Sequence, residues 1–92
     1  MAGSDIKTKR VTGTGALSVG RARIRHITVL VSSAGAGRVT ITDGNGGSTL
    51  LDVDLEANSF STIDIPDDGI LATSDIFVST ATNVTAATIF WS

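Results

Sequence analysis

The chain has no cysteine and no tyrosine, and only one proline, one histidine, one methionine and one tryptophan among its 92 residues. Without cysteine there is no disulfide framework, no thiolate metal site and no thiol nucleophile, which suits folding in a reducing compartment. Aromatic residues are 4% of the chain and none precedes Phe60. The basic residues therefore have no stacking platform beside them, and with a pI near 5.0 nucleic-acid binding is not expected. Long apolar runs are missing as well. The longest strongly apolar stretch, Ile27 to Val31, contains Thr28 and falls far short of the roughly 20 residues a bilayer-spanning helix needs, so no membrane partner is expected. The polar segment Met1 to Arg10 has no apolar core of a secretory signal.

What the chain does have is a strand vocabulary. Eight Val, nine Ile and thirteen Thr make 30 β-branched residues, and no window keeps a helical apolar rhythm without a glycine or a β-branched cluster interrupting it. A length of 92 residues allows one small core. The pattern predicts an all-β, antiparallel, jelly-roll-like sandwich over residues 11–92, preceded by an extended N-terminal arm, polar and basic, over residues 1–10. About eight short strands are expected: Val11 to Val19, Ala22 to Ser32, Arg38 to Thr42, Thr49 to Leu55, Ser59 to Ile65, Gly69 to Thr73, Asp75 to Thr80 and Ala87 to Trp91. Ser33 to Gly37 and Asp43 to Gly47 read as hairpin loops with glycine at positive φ, and Pro66 to Gly69 as a turn.

Alternation assigns faces where it is clean. Leu51, Val53 and Leu55 oppose Asp52, Asp54 and Glu56, and Ile63 and Ile65 oppose Thr62 and Asp64. In the second strand the arginines at 21, 23 and 25 share parity with Ile27, Val29 and Val31. A bulge near Arg25 and His26 would place Ala22, Ile24, Ile27, Val29 and Val31 together in the core and leave the arginines outside. Ile76-Phe77-Val78 and Ile89-Phe90-Trp91 are apolar on both faces, so they either lie centrally under cover of the chain itself or pack against another subunit.

Charge is segregated along the chain. All seven basic residues lie in the first 38 positions against one acid, Asp5, giving +6; the eight acids from Asp43 onward meet no base, giving −8, and the sum is the net −2. Either cross-strand Arg/Asp pairs neutralise this within one subunit, or the basic segment meets an acidic partner surface.

Chemistry-bearing patterns are weak. The paired carboxylates Asp52/Asp54 and Asp67/Asp68 read as a solvated acidic face, and no nucleophile motif surrounds His26. Asp43-Gly44-Asn45-Gly46-Gly47 opens like a calcium loop but has glycine where a third oxygen ligand is needed, and reads as a turn. No catalytic residue, metal or cofactor is expected. Asn83-Val84-Thr85 matches a glycosylation sequon, without weight in the absence of a secretory route.

From Gly20 to Ser92 the order of features resembles small virion structural proteins of tailed bacteriophages. The marks are Gly-Arg-Ala-Arg-Ile-Arg, an apolar strand, Thr-Asp-Gly-Asn-Gly-Gly-Ser-Thr-Leu-Leu, Ile-Pro-Asp-Asp-Gly-Ile-Leu and a closing Thr-Asn-Val-Thr-Ala-Ala-Thr-Ile-Phe-Trp. These look like the β-sandwich decoration, or cement, proteins of capsids. The resemblance implies a non-enzymatic protein, made in the bacterial host cytoplasm and bound outside the shell, that stabilises contacts between major capsid proteins. It implies a homo-oligomer, a trimer before other states. Lys7, Lys9, Arg10, Arg21, Arg23 and Arg25 are then expected to engage acidic capsid surface, with Phe77, Phe90 and Trp91 at apolar contacts. A tail or head-to-tail connector component, or a small carbohydrate-binding module, are the alternatives.

Overall fold

A computed structural model describes residues 6–66 and 68–92. Among the described residues nine strands run in chain order: β1 (Lys7–Val11), β2 (Gly15–Ala16), β3 (Ala22–Val31), β4 (Gly37–Asp43), β5 (Thr49–Leu55), β6 (Phe60–Asp64), β7 (Ile70–Ala72), β8 (Ile76–Thr82) and β9 (Val84–Trp91). They form two antiparallel sheets, β1-β9-β3-β6 with β7 also on β3 (sheet 1), and β2-β8-β4-β5 (sheet 2). β6 and β7 pair successive stretches of β3 and act as one interrupted edge strand. The nested pairs β1·β9, β2·β8, β3·β6/β7 and β4·β5 are the winding of a jelly roll.

The core lies between the sheets. Ile24, Ile27, Val29, Val31 and Ile89 from sheet 1 face Val39, Ile41, Ile76 and Val78 from sheet 2, all at most 2% exposed. Every second residue of these strands turns inward, as the β-branched alternation requires. The bulge is where parity demanded it: β3 and β9 pair Ile24 with Trp91 and then His26 with Phe90, so Arg25 is the extra residue. The five apolar residues expected behind it are all buried.

Several expectations are corrected. Met1 to Asp5 of the expected arm lie outside the described residues, but Lys7 to Arg10 are edge strand β1, held to β9 by the ladder from Lys7↔Trp91 to Val11↔Ala87. Backbone bonding, which needs no apolar side chain, secures it. The expected strand Val11 to Val19 is broken by a bend at Thr12 to Thr14, leaving β2 two residues long. Ser33 to Gly37 is not a hairpin, because β3 and β4 belong to different sheets. Its glycines lack positive φ; Gly37 is needed for space, since a Cβ there would stand 2.9 Å from Val31 Cγ1. The last strand begins at Val84, three residues early, after a turn at Asn83 (φ 55°).

The other two turns form as expected. In the first, Asp43 N–H donates to Ser48 O and Gly47 N–H to Gly44 O, with Gly44 at φ 76°. In the second, Gly69 N–H donates to Pro66 O at φ 77°, and a Cβ on Gly69 would come within 2.3 Å of Ile24 O beside the bulge.

Candidate interaction surface

The outer face of sheet 1 is a lattice of cross-strand rows. Its first row, from β1 to β6, is Thr8, Phe90, His26, Asp64; the second is Arg10, Thr88, Thr28, Thr62; the third is Ala86, Leu30, Phe60. In the first row His26 Nδ1 lies 2.5 Å from Asp64 Oδ1, and its ring meets Phe90 edge-on at 5.1 Å. In the third row Leu30 and Phe60 are direct Cα partners and are 43% and 64% exposed, values that single them out among large apolar side chains of the two sheets. A groove of about 160 Å³ lies between rows two and three, lined by Arg10, Thr28, Leu30, Phe60, Ala86 and Thr88.

The opposite end of this sheet is basic. Arg23 alternates with buried Ala22 and Ile24 and so points outward, and its backbone exchanges both hydrogen bonds with Ser92. Arg25 Nε donates to Ser92 Oγ at 2.8 Å, exposed Arg21 immediately precedes β3, and Lys7 Nζ sits 5.2 Å from the centre of the Trp91 ring. Arg21, Arg23 and Arg25 thus share the Ser92 end of the outer face, whereas Lys7, paired with inward Trp91, lies over that ring on the core side of β1. Lys9 is elsewhere, turned to the core side of β1 and donating to Leu17 O at 3.1 Å, and Arg10 lines the groove.

The three expected aromatics do not share a surface. Phe77 lies between inward Ile76 and Val78 on central strand β8, so it faces out from sheet 2, whereas Phe90 faces out from sheet 1. Trp91 faces inward against the core, with its indole nitrogen buried and without a hydrogen-bond partner among the described residues. The two strands that are apolar on both faces are central in their sheets, and Phe77 and Phe90 are half-buried within the chain itself.

The outer face of sheet 2 and the neighbouring loops hold most of the described acids. Arg38 forks onto Asp52, Nε to Oδ1 at 2.9 Å and Nη2 to Oδ2 at 2.7 Å, and Thr40 Oγ1 adds a third bond. The guanidinium hydrogen bonds, then the hydroxyl, hold the Asp52 carboxyl below its ordinary pKa, and Asp52 raises Arg38 in return. Asp43 is a clasp: Thr73 Oγ1 donates to it at 2.6 Å and Ser74 N–H at 2.7 Å, which lowers its pKa to about 2. Asp75 accepts from Ser18 and Val19 N–H, tying the β2–β3 loop to β8. Among the described residues no group of three or more His, Cys, Asp or Glu is placed to hold a metal ion.

Leu30 and Phe60 went unnoticed in the sequence, although parity marks both. Leu30 alternates with inward Val29 and Val31, and Phe60 shares parity with outward Thr62 and Asp64. Compared with protein-family models, curated proteins and solved structures, the chain matches none.

Proposed function

We propose that this chain is a non-enzymatic structural protein of a tailed-bacteriophage virion, acting as a capsid decoration protein that binds the outside of the shell and reinforces contacts between major capsid proteins. The observation that carries the reading is the collection of Arg21, Arg23 and Arg25 at one end of the outer face of sheet 1 on a chain of net charge −2. Such a localised positive end on an acidic molecule steers and orients docking onto a carboxylate-rich surface. The sandwich suits the task, since jelly rolls recur in capsid and lectin domains and present broad rigid faces. In this reading the contact is electrostatic at Arg21, Arg23 and Arg25, and Phe77 and Trp91 serve the sandwich itself.

The test is the copy number in purified particles relative to the major capsid protein. A fixed ratio amounting to hundreds of copies supports decoration; about a dozen assigns the protein to a tail or connector ring; absence from particles removes the virion reading. Replacing Arg21, Arg23 and Arg25 by Ser should weaken shell binding and flatten its salt dependence.

A further inference from the structure

We infer that the apolar end of sheet 1 is a two-fold contact between copies of this chain, in which Phe60 of one copy fills the groove of the second and receives that copy's Phe60 in its own. The inference is independent of the virion reading and concerns the end of the sheet that reading leaves unused.

Three features point to a second copy as the occupant. First, knob and hole are neighbours on one face: exposed Phe60 forms one wall of the 160 Å³ groove that Arg10, Thr28, Leu30, Ala86 and Thr88 complete. A closed two-fold interface requires that residue i meets j while j meets i, and adjacency of knob and hole satisfies this. Second, the charges match. Arg10, in the hole, and Glu56, four residues before the knob, are both exposed and make no side-chain hydrogen bond or ion pair among the described residues. The β5–β6 turn that carries Glu56 is closed by Ser59 Oγ donating to Glu56 O and Asn58 N–H donating to Ser32 O, so the carboxylate travels with Phe60. Seating Phe60 in the opposite groove brings its ring under the Arg10 guanidinium, a cation–π contact, with Glu56 beside it.

Third, charge selects the arrangement. Full overlap about a two-fold along the strands would oppose the two arginine ends, and full overlap about one across them would cover the apolar end with arginines, whereas an antiparallel overlap of the apolar ends alone directs the arginines away from each other. The sandwich measures 41 × 28 × 19 Å, so half of its broad face gives on the order of 500 Å² per copy, the small end of specific interfaces. Association in the micromolar range follows, as a pair rather than a trimer.

Sedimentation equilibrium of the full chain from about 10 µM to 1 mM tests this, a window that brackets micromolar affinity. The wild type should fit a monomer–dimer equilibrium. Phe60→Ser should weaken it at least about thirtyfold, as loss of a central aromatic anchor does, while its thermal melt stays cooperative. Arg10→Glu and Glu56→Arg should each weaken pairing about tenfold, and the double exchange should restore it, a rescue that a merely structural role would not produce. A wild type that stays monomeric throughout, a trimer, or a dimer indifferent to Phe60→Ser each overturns the inference.

Discussion

Deleting a single residue from the middle of a core strand is normally ruinous, because every side chain beyond it changes face. In β3 the bulge makes one position an exception. Without Arg25 the strand reads Ala22 in, Arg23 out, Ile24 in, His26 out, Ile27 in, and the pairs Ile24↔Trp91, His26↔Phe90 and Ile27↔Ile89 become an uninterrupted ladder. The losses include the bond from Arg25 to Ser92 Oγ, worth about 1 kcal/mol net. In addition β7 is drawn one residue, about 3.3 Å, toward β6. The expected cost is about 1–2 kcal/mol, or a fall of roughly 5–15 °C in Tm for a chain of this size. Deleting Thr28 instead can keep Ile24, Val29 and Val31 inward only by straightening the bulge, which turns Ile27, at 0% exposure, outward and drives the His26 imidazole into its place; otherwise two buried side chains turn out. At ~1.5–3 kcal/mol per buried side chain that costs about 3–6 kcal/mol, much of the roughly 5–14 kcal/mol a chain of this length possesses. Urea titrations followed by far-ultraviolet circular dichroism and by emission of Trp91 measure both variants. Equal damage from the two deletions would refute the assignment of Arg25 as the supernumerary residue.

Three further outcomes follow from the same geometry. Gly69→Ala places a Cβ 2.3 Å from Ile24 O at φ 77° and should cost more than ~2 kcal/mol, whereas Gly44→Ala, with its nearest contact at 3.4 Å, should cost about 1 kcal/mol; chemical denaturation of both variants ranks them. Ile27→Ala, at 0% exposure between Ile63 and Ile89, should cost ~2–5 kcal/mol, and an unchanged midpoint would contradict its place in the core. Because the Asp43 carboxyl is lowered to about 2 in the fold, it contributes stability that is complete above its unfolded value near 4 and is lost as pH falls toward 2. Asp43→Asn should therefore flatten part of the Tm decline over that window, and carboxyl carbon NMR should show Asp43 titrating about two pH units below a free aspartate.

The architecture was legible wherever burial drives it. Alternation in Leu51, Val53 and Leu55, the parity conflict that announced the bulge, and the turn chemistry at Asp43-Gly44 and Pro66 to Gly69 all depend on local rules that the structure obeys. The misreadings share a cause: they concern interactions that leave no apolar trace. Edge strand β1 is a run of Lys, Thr and Arg whose cohesion is backbone hydrogen bonding. The Ser33 to Gly37 crossover looks like a hairpin because which sheet the next strand joins is a tertiary decision. Phe77, Phe90 and Trp91, expected at apolar contacts, are dispersed, since one step of parity separates Phe90 from Trp91 and a whole sandwich separates Phe77 from Phe90. Of the basic residues, nearness in sequence was a fair guide for Arg21, Arg23 and Arg25 and a poor one for Lys9, whose ammonium is taken up by a carbonyl 8 positions on.

The nesting of strand pairs also sets a sequence of events. β4 and β5 are joined by a short turn and can close first; β3 with β6 then closes a loop already shortened by that hairpin, β2 with β8 follows, and β1 with β9 comes last. Each closure costs less chain entropy than its separation along the sequence suggests, because the intervening chain has already been drawn together. The outermost layer, β1, adds only Val11 to the edge of the core and is the last strand laid down and the first to peel away. Amide exchange should accordingly grade inward along the winding, fastest in Lys7 to Arg10 and slowest in β3 and β4.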